Sequence, residues 1–278
     1  MNTTEFSGVL FLSSLLAGLL GALTGLGGGV VIVPVLALLF HVDIHYAIGA
    51  SLVSVIATSS GAAAAYVREG FSNIRIGMFL EIATTLGAVF GAYLTARVST
   101  HAIGLVFGLV LLYSAFASLR KKQAHAGTAK KDPLAERLRL RGSLPGVNGN
   151  EDYVAQRVPA GFGLMFSAGT LSGLLGIGSG AVKVLAMDQA MGLPFKVSTT
   201  TSNFMIGVTA AASAGIYLSR GYISPDLAMP VMLGVLGGSL AGTRVLVHAD
   251  VKMLRIVFAL VIVALGIEMI VSSMTGRL

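Results

Sequence analysis

An all-α, polytopic membrane fold made of two inverted repeats of about five hydrophobic segments each is what this sequence predicts, and three observations carry it. Hydrophobic residues make up 55% of the 278 positions, charged residues only 11%, and the mean hydropathy is +0.85. A soluble domain of that composition would expose large apolar patches. The apolar residues also run in long unbroken stretches, on the scale of the roughly 20 residues that a helical span needs, and not in the short alternating segments of barrel strands. Helices satisfy every backbone group within the bilayer, so the class is helical. Finally, a shift of 151 residues superimposes the two halves without a gap. It pairs Gly25 with Gly176, Gly27 with Gly178, Gly29 with Gly180, Ser51 with Ser202, Thr58 with Thr209, Tyr66 with Tyr217, Gly70 with Gly221, Gly87 with Gly238, Gly91 with Gly242 and Phe107 with Phe258. One register carrying this many glycine, hydroxyl and aromatic identities marks an internal repeat.

The elements follow in order. The first repeat, residues 1–119, holds apolar segments at about Gly8–Thr24, Gly27–Phe40, Tyr46–Val67, Ile74–Ala96 and Ala102–Leu119. The opening MNTTEF has no basic stretch before the first segment, which therefore reads as a retained helix and not a cleaved signal. Residues 120–158 form a linker rich in charge, Pro and Gly, read as a solvated connection with one short helix over Pro133–Leu140. The second repeat, residues 159–278, holds segments at about Pro159–Leu175, Gly178–Met191, Ser198–Leu218, Leu227–Val247 and Met253–Ser273.

The second segment of each repeat is short. Gly27–Phe40 has 14 residues, which at ~1.5 Å per residue reach roughly 21 Å, less than a hydrocarbon core of ~30 Å. No polar loop separates it from the segment before, so segments 1 and 2, and likewise 6 and 7, are expected to form Gly-broken helical hairpins whose turns lie inside the protein near the membrane midplane. Each half then makes an odd number of crossings, and the halves are inverted. The distribution of basic residues agrees. With the linker cytoplasmic, Arg68, Arg75, Lys196, Arg244, Lys252 and Arg255 fall inside, against Arg97, Arg220 and Arg277 outside. Parallel halves would put only four inside and five outside.

Composition also excludes function classes. There is no Cys, so disulfides and thiolate chemistry are absent. The net charge of +7 does not point to nucleic acid, because nine of the nineteen Lys and Arg residues sit between Arg120 and Arg157 without interleaved aromatics. No paired carboxylates, Ser-His-Asp set or HExxH pattern occurs in the apolar segments, so an enzyme is not expected. His41 and His45 are i,i+4 apart, but in the short stretch HVDIHY they read as a loop and not a metal site. No cofactor is expected.

The chemistry concentrates at the glycine clusters. Gly27, Gly28 and Gly29 open one short helix, and Gly178, Ser179 and Gly180 open the other. A dinucleotide reading of GLGGG, with Asp43 downstream, fails because no strand precedes it. Close helix packing is the bland reading, and it suits Gly87, Gly91, Gly238 and Gly242. The sharper reading is an anion site, since helix N-termini leave N–H groups unpaired and carry about half a positive charge. Inverted repeats would bring two such ends to one site, as in other secondary transporters.

Lys183 lies in the apolar run GAVKVLAM, where the first repeat has Ile32, and shares a helix face with Ser179 and Gly180. An intramembrane Lys must face a cavity or a partner, either a bound anion or an acid among Asp188, Glu81 and Glu268. Pro34 removes an N–H from the first short helix and frees the Val30 carbonyl. Thr201, Ser202 and Asn203 close the run STTTSN, with Ser51 the hydroxyl kept in the first repeat. Such groups can line an oxyanion site, or simply cap and tie helices.

The openings TGLGGGVVIVP and LGIGSGAVKVL, each followed by a TS or TTTSN helix start, resemble the TauE/SafE family of sulfite and organosulfonate exporters over both halves, leaving out the linker. The resemblance implies a secondary transporter in the cytoplasmic membrane that exports a small sulfur oxyanion or organosulfonate. The partners it implies are that anion and the bilayer, with a homodimer left open. The sequence departs from a symmetric pattern at Ser179, Lys183 and Leu185. The alternative is an anion channel, or a structural membrane protein in which the hairpins only pack helices.

Overall fold

A computed structural model describes residues 3–24, 28–68, 72–119, 132–146, 149–246 and 251–277. Gly25, Gly27, Gly70 and most of the basic stretch beyond Leu119 lie outside the described residues. The first repeat folds as α1 (Thr3–Thr24), α2 (Gly29–Pro34), α3 (Ile44–Arg68), α4 (Ile74–Leu94) and α5 (Thr100–Leu119). The second repeat folds as α7 (Val158–Leu175), α8 (Gly180–Leu185), α9 (Phe195–Ser219), α10 (Pro225–Leu246) and α11 (Val251–Met274). The 151-residue shift lays α2 on α8 and α3 on α9 residue for residue.

A wide π-helical turn follows each short helix, Val35–Leu39 in one half and Ala186–Ala190 in the other. Pro34 precedes the first turn and Leu185 the second, so the proline is not what widens the helix. Such turns interrupt the regular bonding ladder and recur at functional positions.

The packing repeats as well. α1 lies along α10 as α7 lies along α4, and α3 meets α10 as α9 meets α4. α3 against α9, and α5 against α11, complete a pattern that is unchanged when the halves are exchanged. Glycines set the closest of these approaches. A Cβ on Gly87 or Gly91 would strike the Phe166 or Thr170 carbonyl of α7, and one on Gly169 or Gly173 would strike the Thr84 or Ala88 carbonyl of α4. Gly18, Gly234 and Gly238 meet backbone in the same way between α1 and α10. Small residues at these positions let two backbones touch, the means by which helices associate in lipid.

Polarity is distributed inside out. Met78, Ile82, Leu86, Phe90 and Tyr93 form an exposed apolar stripe along α4, and Leu105, Leu109, Tyr113 and Phe116 one along α5. Thr84, Glu81, Lys183, Thr209 and Ser213 are buried. Among the described residues, two helical stretches, Ile74–Arg97 and Val158–Leu175, are long and apolar enough to cross a bilayer.

The linker departs from expectation. Its helix, α6 (Pro133–Arg137), is shorter than Pro133–Leu140, and β1 (Arg141–Gly146) then pairs antiparallel with β2 (Gly149–Val154), from Arg141 opposite Val154 to Gly146 opposite Gly149. Ala135, Leu140 and Ala155 are each at most 1% exposed and pack in one cluster with Ile76, Leu80, Met187 and Met191. Asp132 caps α6 and also accepts from the Val158 N–H at 2.7 Å, fastening the start of α7. The described part of the linker, from residue 132 on, is thus a folded piece docked on the helices, not a solvated connection. The signal for it is the alternation in LRLRGSL.

Candidate functional site

The two glycine openings come together. Ser51 of α3 donates to the Gly176 carbonyl at 2.8 Å. A Cβ built on Gly29 would lie 2.7 Å from Ser51 Oγ and 3.2 Å from that same carbonyl oxygen. Val55 touches both sides, 2.8 Å from such a Cβ on Gly29 and 3.4 Å from one on Gly178. Ile206, the counterpart of Val55 under the 151-residue shift, would lie 2.8 Å from a Cβ on Gly178 and 2.7 Å from one on Gly180. Two equivalent aliphatic side chains therefore seal the place where the short helices start.

The openings differ in backbone. Gly28 sits at φ −64°, a conformation open to any residue, and its carbonyl accepts from the N–H groups of Val31 and Ile32 at 3.1 Å. Its counterpart Ser179 sits at φ +48°, after Gly176 at +68° and Gly178 at +69°. A left-handed backbone suits glycine and costs other residues roughly 1–2 kcal/mol. Ser179 pays that cost while 3% exposed, and its hydroxyl has no partner. The hydroxyl of Ser172, one turn before the end of α7, is likewise buried and unpaired. Ser202 reaches the same opening, donating to the Gly180 carbonyl at 3.3 Å.

Lys183 lies one turn into α8, its N–H bonded to the Ser179 carbonyl at 3.0 Å. The side chain is 0% exposed. Its Nζ donates to Thr209 Oγ1 of α9 at 2.5 Å, and Thr209 Oγ1 lies 2.7 Å from Glu81 Oε1 of α4. Thr85 donates to the same carboxylate oxygen at 3.0 Å. Glu81 is 5% exposed, and its second oxygen, Oε2, has no partner. The result is a chain of charge from ammonium through hydroxyl to carboxylate, across three helices. The 151-residue shift relates this set to Ile32 and Thr58 of the first half and Met232 of the second, so only the hydroxyl is kept.

The remaining expected site residues have mixed duties. The run STTTSN does not start its helix: α9 begins at Phe195 after Pro194, and Thr199 and Thr200 bond back to the carbonyls of Phe195 and Lys196. Thr201 accepts from the Asn73 N–H at 3.0 Å, tying the loop before α4 to α9. Asn73 in turn donates to the Tyr153 hydroxyl of β2 at 3.0 Å, so the linker hairpin hangs from the same loop. Burial pushes the Tyr153 phenol up, and this hydrogen bond partly opposes the shift. Asn203 is half-buried on α9. Gly27 lies outside the described residues.

Residues that sequence reasoning did not place at the site are Val55, Ile206 and Thr209. The Thr58–Thr209 identity in the repeat was the available signal for the last. His45 bonds Asp43 at 2.9 Å and stacks on Tyr222 at 4.9 Å between ring centres. Among the described residues, no three His, Asp or Glu side chains group as a metal site.

Comparison with known proteins adds the family. Residues 10–269 match the pattern of the family described as "Sulfite exporter TauE/SafE". The chain is 26% identical over 270 residues to the "Probable membrane transporter protein YunE" of Bacillus subtilis, covering 94% of this chain and 96% of the relative. It is 27% identical over 244 residues to YdhB of the same organism, also named a probable membrane transporter protein, covering 85% and 87%. A relative in Methanocaldococcus jannaschii carries the same description at 24% identity over 276 residues, covering 94% of each chain. No solved structure matches.

Proposed function

The chain belongs to the sulfite exporter TauE/SafE family, a family of membrane transporters and not enzymes, and on that premise we propose that it exports a small sulfur oxyanion or organosulfonate across the cytoplasmic membrane by alternating access. In this reading residues 1–119 and 159–278 are inverted repeats, the linker 120–158 faces the cytoplasm, and the glycine openings meet near the midplane. The observation that carries the proposal is the second opening. Ser179 holds an unpaired hydroxyl there, and Lys183 brings a positive charge one turn away. An oxyanion would take donors from Ser179, Ser51 and Ser202, from the N–H groups that open α2 and α8, and from the Lys183 ammonium. Gly28, Gly29, Gly178 and Gly180 keep Cβ atoms out of the space beside those donors, and Thr201 and Asn203 follow on α9.

Val55 and Ile206 close over both openings, which supports a carrier that must rearrange over an open pore. Rocking one set of packed helices against the other would part these two side chains, first to one side and then to the other. Direction follows from charge. With the cell interior negative, moving one negative charge outward is favourable by ~2.3 kcal/mol per 100 mV.

A thermal-shift panel of sulfite, sulfate, thiosulfate and alkyl sulfonates on the purified protein tests the reading. At least one of these anions raises the melting temperature in a saturable way, and the Lys183→Met protein shows no such rise. A panel in which none of them shifts the wild type would overturn the assignment.

A further inference from the structure

Glu81 has no role in the site as drawn so far, yet it is the most demanding side chain in the interior. Its carboxylate is buried on α4 with one oxygen on Thr85 and Thr209 and the other on nothing. A structural ion pair would be expected to satisfy all its oxygens, because a half-paired buried carboxylate carries a desolvation cost that apolar packing avoids. The repeat-related position shows that the fold does not need the pair. The equivalent backbone there carries Ile32 of the first repeat and Met232 of the second.

We propose that Glu81 is a proton-coupling site: it holds the countercharge of Lys183 when no anion is bound, and takes up one proton when an anion docks on the lysine. This rests on the reading of Lys183 as an anion-binding group. Charge balance gives the step. The empty site contains one ammonium and one carboxylate, joined through Thr209. An arriving anion claims the ammonium and leaves the carboxylate without its countercharge in a place with little water. For a singly charged anion a proton on the carboxylate restores neutrality, and for a doubly charged one it halves the excess negative charge; the unpaired Oε2 is the free position for it. Thr209 can turn its hydroxyl from donor to acceptor as the charge changes. When the anion leaves on the other side the proton leaves with it, so each anion travels with one proton, and only a doubly charged anion then carries out the net negative charge that the membrane potential drives.

The surroundings single out this carboxylate. α7, packed along α4, has no titratable side chain. From α9 the ionisable groups are Lys196 in the first turn and Tyr217 near the far end, whose hydroxyl is engaged with Thr95 and the Gly173 carbonyl. On α8 and its π turn they are Lys183 and Asp188. On α4 itself Arg75 is exposed in the first turn. Lys183 is joined to Glu81 by a chain of contacts through Thr209.

The test uses the purified full-length protein with sulfate, thiosulfate and an alkyl sulfonate, all fully ionised near neutral pH and so unable to supply a proton themselves. Binding is read by thermal shift, and proton uptake by an indicator dye in weakly buffered solution. Wild type takes up about one proton per anion bound, and its affinity weakens about tenfold for each pH unit of alkalinisation. Glu81→Gln binds without proton uptake, and its affinity loses that dependence on pH. The double variant Lys183→Ile, Glu81→Met, which copies the repeat-related residues Ile32 and Met232, folds and binds none of the three. Binding by wild type without proton uptake overturns the coupling while leaving the anion site standing, and so does undiminished uptake by Glu81→Gln. If Glu81→Gln does not fold, the wild-type proton count alone decides. No binding of any of the three to wild type overturns the anion site, and the coupling with it.

Discussion

The opening before α2 and the opening before α8 are the same piece of architecture given different chemistry. Both start an identical run of six α-helical residues and a five-residue π turn. Both are sealed by one member of the Val55–Ile206 pair and approached by one member of the Ser51–Ser202 pair. Three of the positions at which they diverge carry the chemistry. Gly28 in a right-handed backbone faces Ser179 in a left-handed one, Ile32 faces Lys183, and half-buried Met232 faces Glu81. The backbone therefore needs neither charge. What surrounds the second opening in addition is an ion pair between Lys183 and Glu81 of the first half, and a strained serine with an idle hydroxyl, both expensive in an apolar interior and neither explained by folding.

Exchanging chemistry between the openings gives the sharpest predictions. Ile32→Lys alone places an ammonium in a fully buried apolar site and is expected to cost at least ~3 kcal/mol. Adding Met232→Glu supplies the partner and should recover a good part of the loss through Thr58, which denaturation of both variants in detergent would read. Lys183→Met breaks the native pair from the other side and should cost ~3 kcal/mol by stranding Glu81. Lys183→Ile with Glu81→Met should fall within about 1 kcal/mol of wild type, since it copies the repeat-related pair Ile32 and Met232. A double variant no more stable than the single would contradict the comparison.

Smaller effects separate the glycines. Gly29→Ala meets Ser51 Oγ, Val55 and the Gly176 carbonyl together, and overpacking of this kind costs about 1–3 kcal/mol. Gly180→Ala meets only the tip of Ile206 within 3.4 Å, a side chain end that can swing away, so its melting temperature should drop less. The smallest change is Ser179→Gly. It relieves the left-handed backbone and should stabilise the protein by up to ~1 kcal/mol, while weakening anion binding severalfold in the same thermal-shift titration. Unchanged affinity would mean that the idle hydroxyl has no ligand to serve.

The repeat was readable because glycines and hydroxyls recur in one register where apolar residues drift freely, and that register carries α2 onto α8 and α3 onto α9 without slippage. The glycines that pack helices were readable for the same reason: Gly87, Gly91 and Gly238 all strike partner backbone, while the surroundings of Gly242 fall outside the described side chains. Lys183 stands out in any apolar run. Its link to Glu81 does not, because Thr209 and Glu81 lie 128 residues apart and three acids were equally available as partners along the chain. STTTSN was misplaced as a helix start because Pro194 and the lone aromatic Phe195 begin the helix a turn earlier. The linker hairpin was obscured by charge: alternating Arg and Leu read as a solvated run until Leu140 and Ala155 are seen buried against α4 and the π turn.

Flux in proteoliposomes containing labelled sulfite, with wild type set against the Lys183→Ile, Glu81→Met protein, tests the central claim most directly. An asymmetric anion site in the second opening predicts saturable flux for wild type and background flux for a double variant that melts at nearly the same temperature. Equal flux from the two proteins would show that the ion pair, and the opening it marks, is not where the anion passes.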